Sequence, residues 1–153
     1  MKKKMTVIIL GASSDIGIEV VKKFLNSGWE VIAHCNSNEK VLKSSFFLSK
    51  KITILKADLS KINQLNTLIK KIKKLKIDSF INMVGYLNHQ NFNKSNISSK
   101  IKSLTVNVLS PIEILKNILK KMHINKFGRI LNISSIGVKF GGSEFISLFL
   151  LNK

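Results

Sequence analysis

The chain has 153 residues, 44% of them hydrophobic, with one proline and eight glycines. That suits a single domain over residues 1–153, burying roughly 68–70% of its unfolded surface, and excludes collagen-like or low-complexity character. The formal net charge is +18, from 25 lysines and one arginine (Arg129) against eight acids. Lysine spread along the chain, densest in KKIKKLK at 70–76, reads as solvated helix faces. A nucleic-acid reader concentrates charge on one face and uses arginine forks, so specific nucleic-acid binding is the weaker expectation.

No apolar run reaches the ~18 residues that span a bilayer, so no membrane partner is expected. The single cysteine, Cys35, has no internal disulfide partner, which points to a reducing cytoplasm.

In chain order, the start MKKKMTVIILGASS has the outline of a secretory signal. Asp15 and the glycines around it favour a buried first strand, MTVIIL at 5–10, after a basic overhang. Further β-branched runs follow at EVIAH (30–34), KITILKA (51–57), DSFINMV (78–84) and RILNIS (129–134). Each is too short and too evenly apolar for an amphipathic helix, and reads as a strand buried on both faces.

Between them lie helical patterns. Apolar residues recur at helical spacing over 16–26 and 59–75, and in one long stretch over about 97–122, with a shorter helix in 38–48. The order βαβαβαβαβ requires crossover connections, hence a parallel sheet with helices on both faces.

The first strand runs into LGASSDIGIEVV. A strand–glycine–helix junction presents free backbone N–H groups and a positive helix end to a pyrophosphate. Gly11 lets the chain turn sharply and Gly17 lets the helix approach the sheet. Small Ala12, Ser13 and Ser14 keep the approach open, and the hydroxyls can add donors.

GASSDIG resembles the cofactor turn of the short-chain dehydrogenases/reductases, TGxxxGxG, with Leu10 for the threonine and Asp15 for the middle glycine. Other stretches resemble the same family in the same order. ADLS places Asp58 where the family contacts the adenine, with Leu59 beside it. NMVG, at Asn82 to Gly85, partly matches NNAG. VNVLSP puts Asn107 at the asparagine that organises the active-site water and lysine, and GRILNISSIG puts Ser135 at the catalytic serine.

The resemblance implies a Rossmann-type doubly wound α/β sheet of order 3-2-1-4-5. It implies a nicotinamide dinucleotide held by Gly11, Ser13, Ser14, Ile16, Gly17, Asn36, Ser37, Asp58, Leu59, Asn82 and Gly85. It also implies hydride transfer to or from a small carbonyl or alcohol substrate, and a homo-oligomer.

Cofactor choice falls at the end of the second strand, where an acid would favour NAD by accepting from the ribose hydroxyls. AHCNSNEK has Cys35 in that slot, with Asn36 and Ser37 after it and Lys40 near. Nothing there repels a 2′-phosphate, so NADP is expected ahead of NAD.

The family's proton donor is a tyrosine, with a lysine four residues later and a serine about thirteen residues upstream. Working near neutrality takes a tyrosine shift of roughly three units, or about 4 kcal/mol. Here Phe149 stands four residues before Lys153, and Leu148 is thirteen after Ser135. The one tyrosine, Tyr86, follows the fourth strand. The expectation is a chain truncated within the tyrosine–lysine helix, covering about the first 60% of a typical member. Ser135, Asn107 and Lys153 are then the catalytic candidates of an impaired NADP-dependent reductase. The alternatives are a non-catalytic dinucleotide-binding remnant or sensor, and a basic nucleic-acid-associated protein using the KKIKKLK face. Poor solubility is expected from an uncovered edge at RILNIS.

Overall fold

Short apolar runs separated by amphipathic stretches fold here as the parallel sheet they demand. The computed structural model describes residues 4–87 and 94–140. Its elements are β1 (Thr6–Leu10), α1 (Asp15–Asn26), β2 (Glu30–Cys35), α2 (Glu39–Ser45), β3 (Ile52–Lys56), α3 (Ile62–Ile72), β4 (Ser79–Asn82), α4 (Ile97–Leu104), a π-helical turn (Thr105–Leu109), α5 (Ser110–Ile124), β5 (Arg129–Asn132) and the single turn α6 (Gly137–Phe140).

The strands lie in the order β3-β2-β1-β4-β5. All four pairings are parallel, with Ile8 opposite Ile32 on one side and Phe80 on the other. The chain therefore reverses its direction of growth at β1. Ligands of such sheets bind outside the carboxyl ends of the strands at that reversal.

Strand alternation splits the core into two layers. Ile8, Leu10, Ile32 and Phe80 pack with Leu65, Leu68, Ile69 and Ile72 of α3 and with Ile114, Ile118 and Met122 of α5. Val7, Ile9, Val31, Ala33 and Cys35 pack with Val21 of α1 and with Leu42 and Phe46. Each Val, Leu, Ile, Phe or Met side chain among them, fully buried, contributes about 1.5–3 kcal/mol. The long lysines of α5 serve packing as well. Lys121 donates to the carbonyls of Lys73 and Leu75 beyond the end of α3, where a cation is favoured.

Three expectations are corrected. Burial on both faces holds for β1, β2 and β4, but β3 is half-exposed and all four residues of β5 are exposed. Each is an outer strand of the sheet formed by the described residues. The helix expected from Leu59 begins at Ile62, because Asp58 to Lys61 form a turn closed by the Lys61 N–H on the Asp58 carbonyl. The long helix over 97–122 is broken by the π turn at Thr105–Leu109. Pro111 supplies the reason. It has no N–H to give the carbonyl of Asn107, and its ring crowds that carbonyl, so a regular α ladder cannot pass through.

The tail that carries Leu148, Phe149 and Lys153 lies outside the described residues. No helix among the described residues is long and apolar enough to cross a membrane.

Gly17 is the tightest point of the frame. A Cβ there would stand 2.6 Å from the Gly11 carbonyl oxygen and 2.7 Å from the Ala12 carbonyl, both backbone atoms. Despite alanine's better helix propensity, Gly17→Ala is expected to lower stability by about 1–3 kcal/mol, because overpacking against backbone cannot relax through a rotamer. Urea denaturation of the two proteins measures it.

Candidate functional site

The site grows from the turn between β1 and α1. Gly11 has φ +79°, and a Cβ on it would approach the Met83 carbonyl oxygen at 3.0 Å. Both the left-handed backbone and the lack of space favour glycine there. Ser14 is the N-cap of α1: its Oγ accepts from the Gly17 N–H at 3.1 Å and donates to the Gly11 carbonyl at 3.1 Å. Its hydroxyl proton is thus directed into the turn rather than outward. Asp15 and Ile16 are the first two helical residues, so their N–H groups lie outside the helix's own ladder. Asp15 itself is exposed and sits in the first turn, where an acid complements the helix end.

Beneath the turn lies a residue that sequence reading passed over. His34, on β2, is 2% exposed. Its Nε2 lies 2.9 Å from the Ala57 carbonyl oxygen, and its Nδ1 lies 3.4 Å from the Gly11 N–H donor. A carbonyl only accepts and an amide N–H only donates, which places the ring proton on Nε2. Burial pushes the imidazole below its ordinary pKa, against the smaller upward pull of the Ala57 carbonyl. The signal available in the sequence was a lone histidine inside an otherwise apolar strand.

Cys35, the next residue, points into the opposite layer and is fully buried. Burial and the charge of Glu39 push its thiol up, opposed by Lys56 and Lys43. The residues after β2 that line the cleft are Asn36 and Asn38. Ser37 instead donates to the Asn38 side chain at 3.4 Å.

At the end of β3, Asp58 accepts from both the N–H and the hydroxyl of Ser60, at 2.9 and 2.7 Å, through one carboxylate oxygen. Partial burial raises this carboxyl. The two Ser60 hydrogen bonds, with the charges of Lys102 and Lys61, outweigh it and hold the group below its ordinary value. Leu59 is buried, and its carbonyl accepts from the Ser110 hydroxyl at 2.7 Å, tying this loop to α5.

Beyond β4 the backbone is held by asparagines. Asn107, buried in the π turn, accepts from the Tyr86 N–H at 2.7 Å and donates to the Tyr86 carbonyl at 3.2 Å and to Ser103 at 3.3 Å. Asn82 accepts from the Val84 N–H at 3.2 Å and donates to Asn132 at 3.3 Å. Asn82, Asn107 and Asn132 border a second cavity of about 260 Å³ between the sheet and α5.

A cleft of about 320 Å³ opens at the carboxyl ends of β1, β2, β3 and β4. It joins Gly11, Ser13, Ser14, Asn36, Asp58, Leu59 and Gly85, seven of the residues singled out by sequence. His34, Asn38, Met83, Val84, Tyr86, Lys102 and Val106 complete it, none of them anticipated in that place. Asp58 is the carboxylate and Lys102 the ammonium among its described lining residues, and Lys102 Nζ lies 4.6 Å from the Tyr86 ring centroid. Lys40, expected near a ribose phosphate, is exposed and does not line it.

Four other named residues stand elsewhere. Ile16 is exposed at the start of α1, Gly17 is closed against the turn, and Asn82 faces the second cavity. Ser135 follows β5, and its Oγ accepts from the Gly137 N–H at 3.2 Å.

The sequence model of the short chain dehydrogenases matches residues 5–147. The chain belongs to that family. A relative, the uncharacterized oxidoreductase YvrD of Bacillus subtilis, is 33% identical over 90% of this chain and 54% of its own length. A Haemophilus influenzae protein named "Probable NADP-dependent dehydrogenase" is 24% identical over 98% of this chain and 64% of its own. The chain therefore spans between about half and two thirds of the length of these curated relatives.

Among solved structures, a short-chain dehydrogenase from Streptomyces avermitilis superposes with a TM-score of 0.88 at 17% identity, covering 100% of this chain and 57% of that one. One from Sphingobium yanoikuyae, in complex with NADPH, gives 0.85 at 21%, covering 97% and 60%. At those identities the likeness is one of fold. This short-chain dehydrogenase thus has the sheet order and the glycine turn that its sequence signals.

Asn107→Ala leaves both backbone groups of Tyr86 without their side-chain partner, at an expected cost of about 1–3 kcal/mol. Faster hydrogen exchange at the Tyr86 amide, together with a lower urea midpoint, is the expected signature.

Proposed function

We propose that the chain binds NADP(H) in the cleft over the β1–α1 turn. On this reading it forms the cofactor-binding part of an oxidoreductase that transfers hydride between that cofactor and a carbonyl or alcohol substrate. The observation that carries the reading is the convergence of the Gly11 turn, Asp58 and Gly85 on one cleft. The residues fit a dinucleotide. Glycine at 11 and 17 keeps the turn low and close to the sheet, and the Asp15 and Ile16 N–H groups at the helix start suit a pyrophosphate. Asp58 and Leu59 would border the adenine, while Gly85 leaves the opposite wall low. Asn82 would act by holding the Val84 N–H in place, and Ser13 would add a hydroxyl.

The preference for NADP over NAD rests on charge. No acid occupies the end of β2, because Cys35 is buried and Asn36 and Asn38 are neutral donors. Lys102 brings a cation to the same cleft. The NADPH bound by the Sphingobium protein and the name of the Haemophilus relative agree with this choice.

When bound, the cofactor supplies the hydride. In the family's scheme Ser135 would orient the substrate oxygen, Asn107 the supporting water and Lys153 the nicotinamide ribose. Phe149, four residues before Lys153, has no hydroxyl to exchange a proton. That favours a second reading, in which the chain binds the dinucleotide with little or no turnover. The two readings share the binding step and part at catalysis.

Calorimetry with NADPH and NADH is the deciding measurement. Association with both, tighter for NADPH, is expected; no heat with either in well-folded protein refutes the reading. Lys102→Ala should weaken NADPH binding by up to about fivefold, the scale of one exposed ion contact, and change NADH binding far less. NADPH oxidation with simple ketones is expected to run about 10²–10⁴-fold slower in the wild-type chain than in Phe149→Tyr. Equal rates would remove Phe149 as the cause of any impairment.

A further inference from the structure

The glycine turn is held to β2 by two successive N–H groups. Ala12 N–H donates to the His34 backbone carbonyl at 2.9 Å, and Gly11 N–H points at the His34 ring nitrogen at 3.4 Å. On its far side the same ring reaches the Ala57 carbonyl, one residue before Asp58. One side chain therefore spans two loops of the cleft, the turn suited to a pyrophosphate and the turn bordering the adenine. We propose that His34 is a positioning residue for the nucleotide. Its neutral, Nε2-protonated ring holds Gly11 and Ala57 at a fixed separation, and protonation at Nδ1 removes its hold on the Gly11 N–H. This rests on the nucleotide-binding reading given above.

The chemistry is one of donor and acceptor count. The neutral ring has one bare nitrogen, and that nitrogen faces an N–H. Imidazolium has none, so Gly11 N–H would meet a second donor across the same gap. The Ala57 bond survives protonation, so the effect is confined to the Gly11 side. Burial disfavours the charged ring, which keeps the neutral form dominant at ordinary pH.

The charged groups nearby do not oppose this. β1 carries no titratable side chain, and on β2 the neighbouring Cys35 points into the other layer. Lys56 of β3 is exposed. Asp58, the Tyr86 phenol and Lys102 share the cleft with His34, and the two formal charges are opposite in sign. Among the described residues, the ring's hydrogen-bond partners are Gly11 and Ala57 alone.

The same linkage fixes the sign for stability. Above the ordinary imidazole value of 6.5 both folded and unfolded chains are neutral at this site, and its contribution is complete. As pH falls below that value the unfolded chain takes up a proton that the folded chain resists. Stability then declines until the lower folded pKa is reached.

The test uses His34→Gln, whose amide can give the oxygen to Gly11 and the NH₂ to Ala57 but does not titrate. Dissociation constants for NADPH and NADH are measured for both proteins from pH 8 to pH 5, each below its melting temperature. The ratio of wild-type to variant constants cancels the ligand's own phosphate titration. It should be near one at pH 8 and rise, by up to about tenfold per pH unit below the folded His34 pKa. His34→Ala should weaken binding at every pH.

NMR of the ring nitrogens and of the Gly11 amide gives a second readout that needs no ligand. A bare Nδ1 at pH 8, and an amide shift that titrates with the ring, are expected. A ratio that stays flat through the pH at which the ring protonates, a ring that stays neutral down to pH 5, or a Gly11 amide indifferent to the ring, overturns the proposal. Co-titration without any nucleotide binding would retain the His34 contact and refute the nucleotide reading instead.

Discussion

Where the first helix meets the first strand there is no room for one methyl group. The Gly17 Cα sits so close to the carbonyls of Gly11 and Ala12 that a side chain would have to displace backbone. That closeness lets the start of α1 aim its unpaired N–H groups over the carboxyl end of β1. It also lets Ser14 cap the helix and close the turn with a single hydroxyl. The remaining parts of the cleft are arranged around this contact. Gly11 in turn lies against the Met83 carbonyl, so the turn and the loop after β4 hold each other's position.

The loops themselves anchor in part through apolar residues, with Ala12, Ala57 and Leu59 buried and Met83 and Val84 packed against the core. They are also fixed by polar side chains that the sheet and α5 bury. His34 ties the turn to the end of β3, Asn107 grips both backbone groups of Tyr86, and Asn82 holds the Val84 N–H while bridging to Asn132. Among the described residues no fully buried side-chain nitrogen or oxygen lacks a partner. A satisfied buried group of this kind adds modest net stability, but losing one partner leaves the other desolvated and unpaired. These positions therefore set loop geometry more strongly than they set overall stability.

Charge is distributed on a different principle. The lysines form exposed ion pairs such as Lys22–Glu19 and Lys43–Glu39, which solvent screening keeps weak. One lysine departs from this pattern by lining the cleft. Lys102 stands over Tyr86 beside Asp58, in a cleft that otherwise offers neutral amides.

The sequence by itself determined the class of fold, the order of its strands and helices, and the family. Short β-branched runs and 3.6-residue patterns are local properties, and the GASSDIG, ADLS and NISS stretches keep their identity without coordinates. It also marked seven residues of the cleft, since those lie in contiguous turns next to strand ends. Tertiary structure decided the rest. His34 reads as one more residue of a buried strand until its neighbours across the sheet are known. Lys102 reads as a solvated lysine until α4 is laid over the loop after β4. The break at Asn107 was written locally in Pro111, but an apolar pattern continuous through it concealed the break. Side-chain period reports which face is buried; it does not report which polar groups from distant strands will meet there, because that depends on strand order and register.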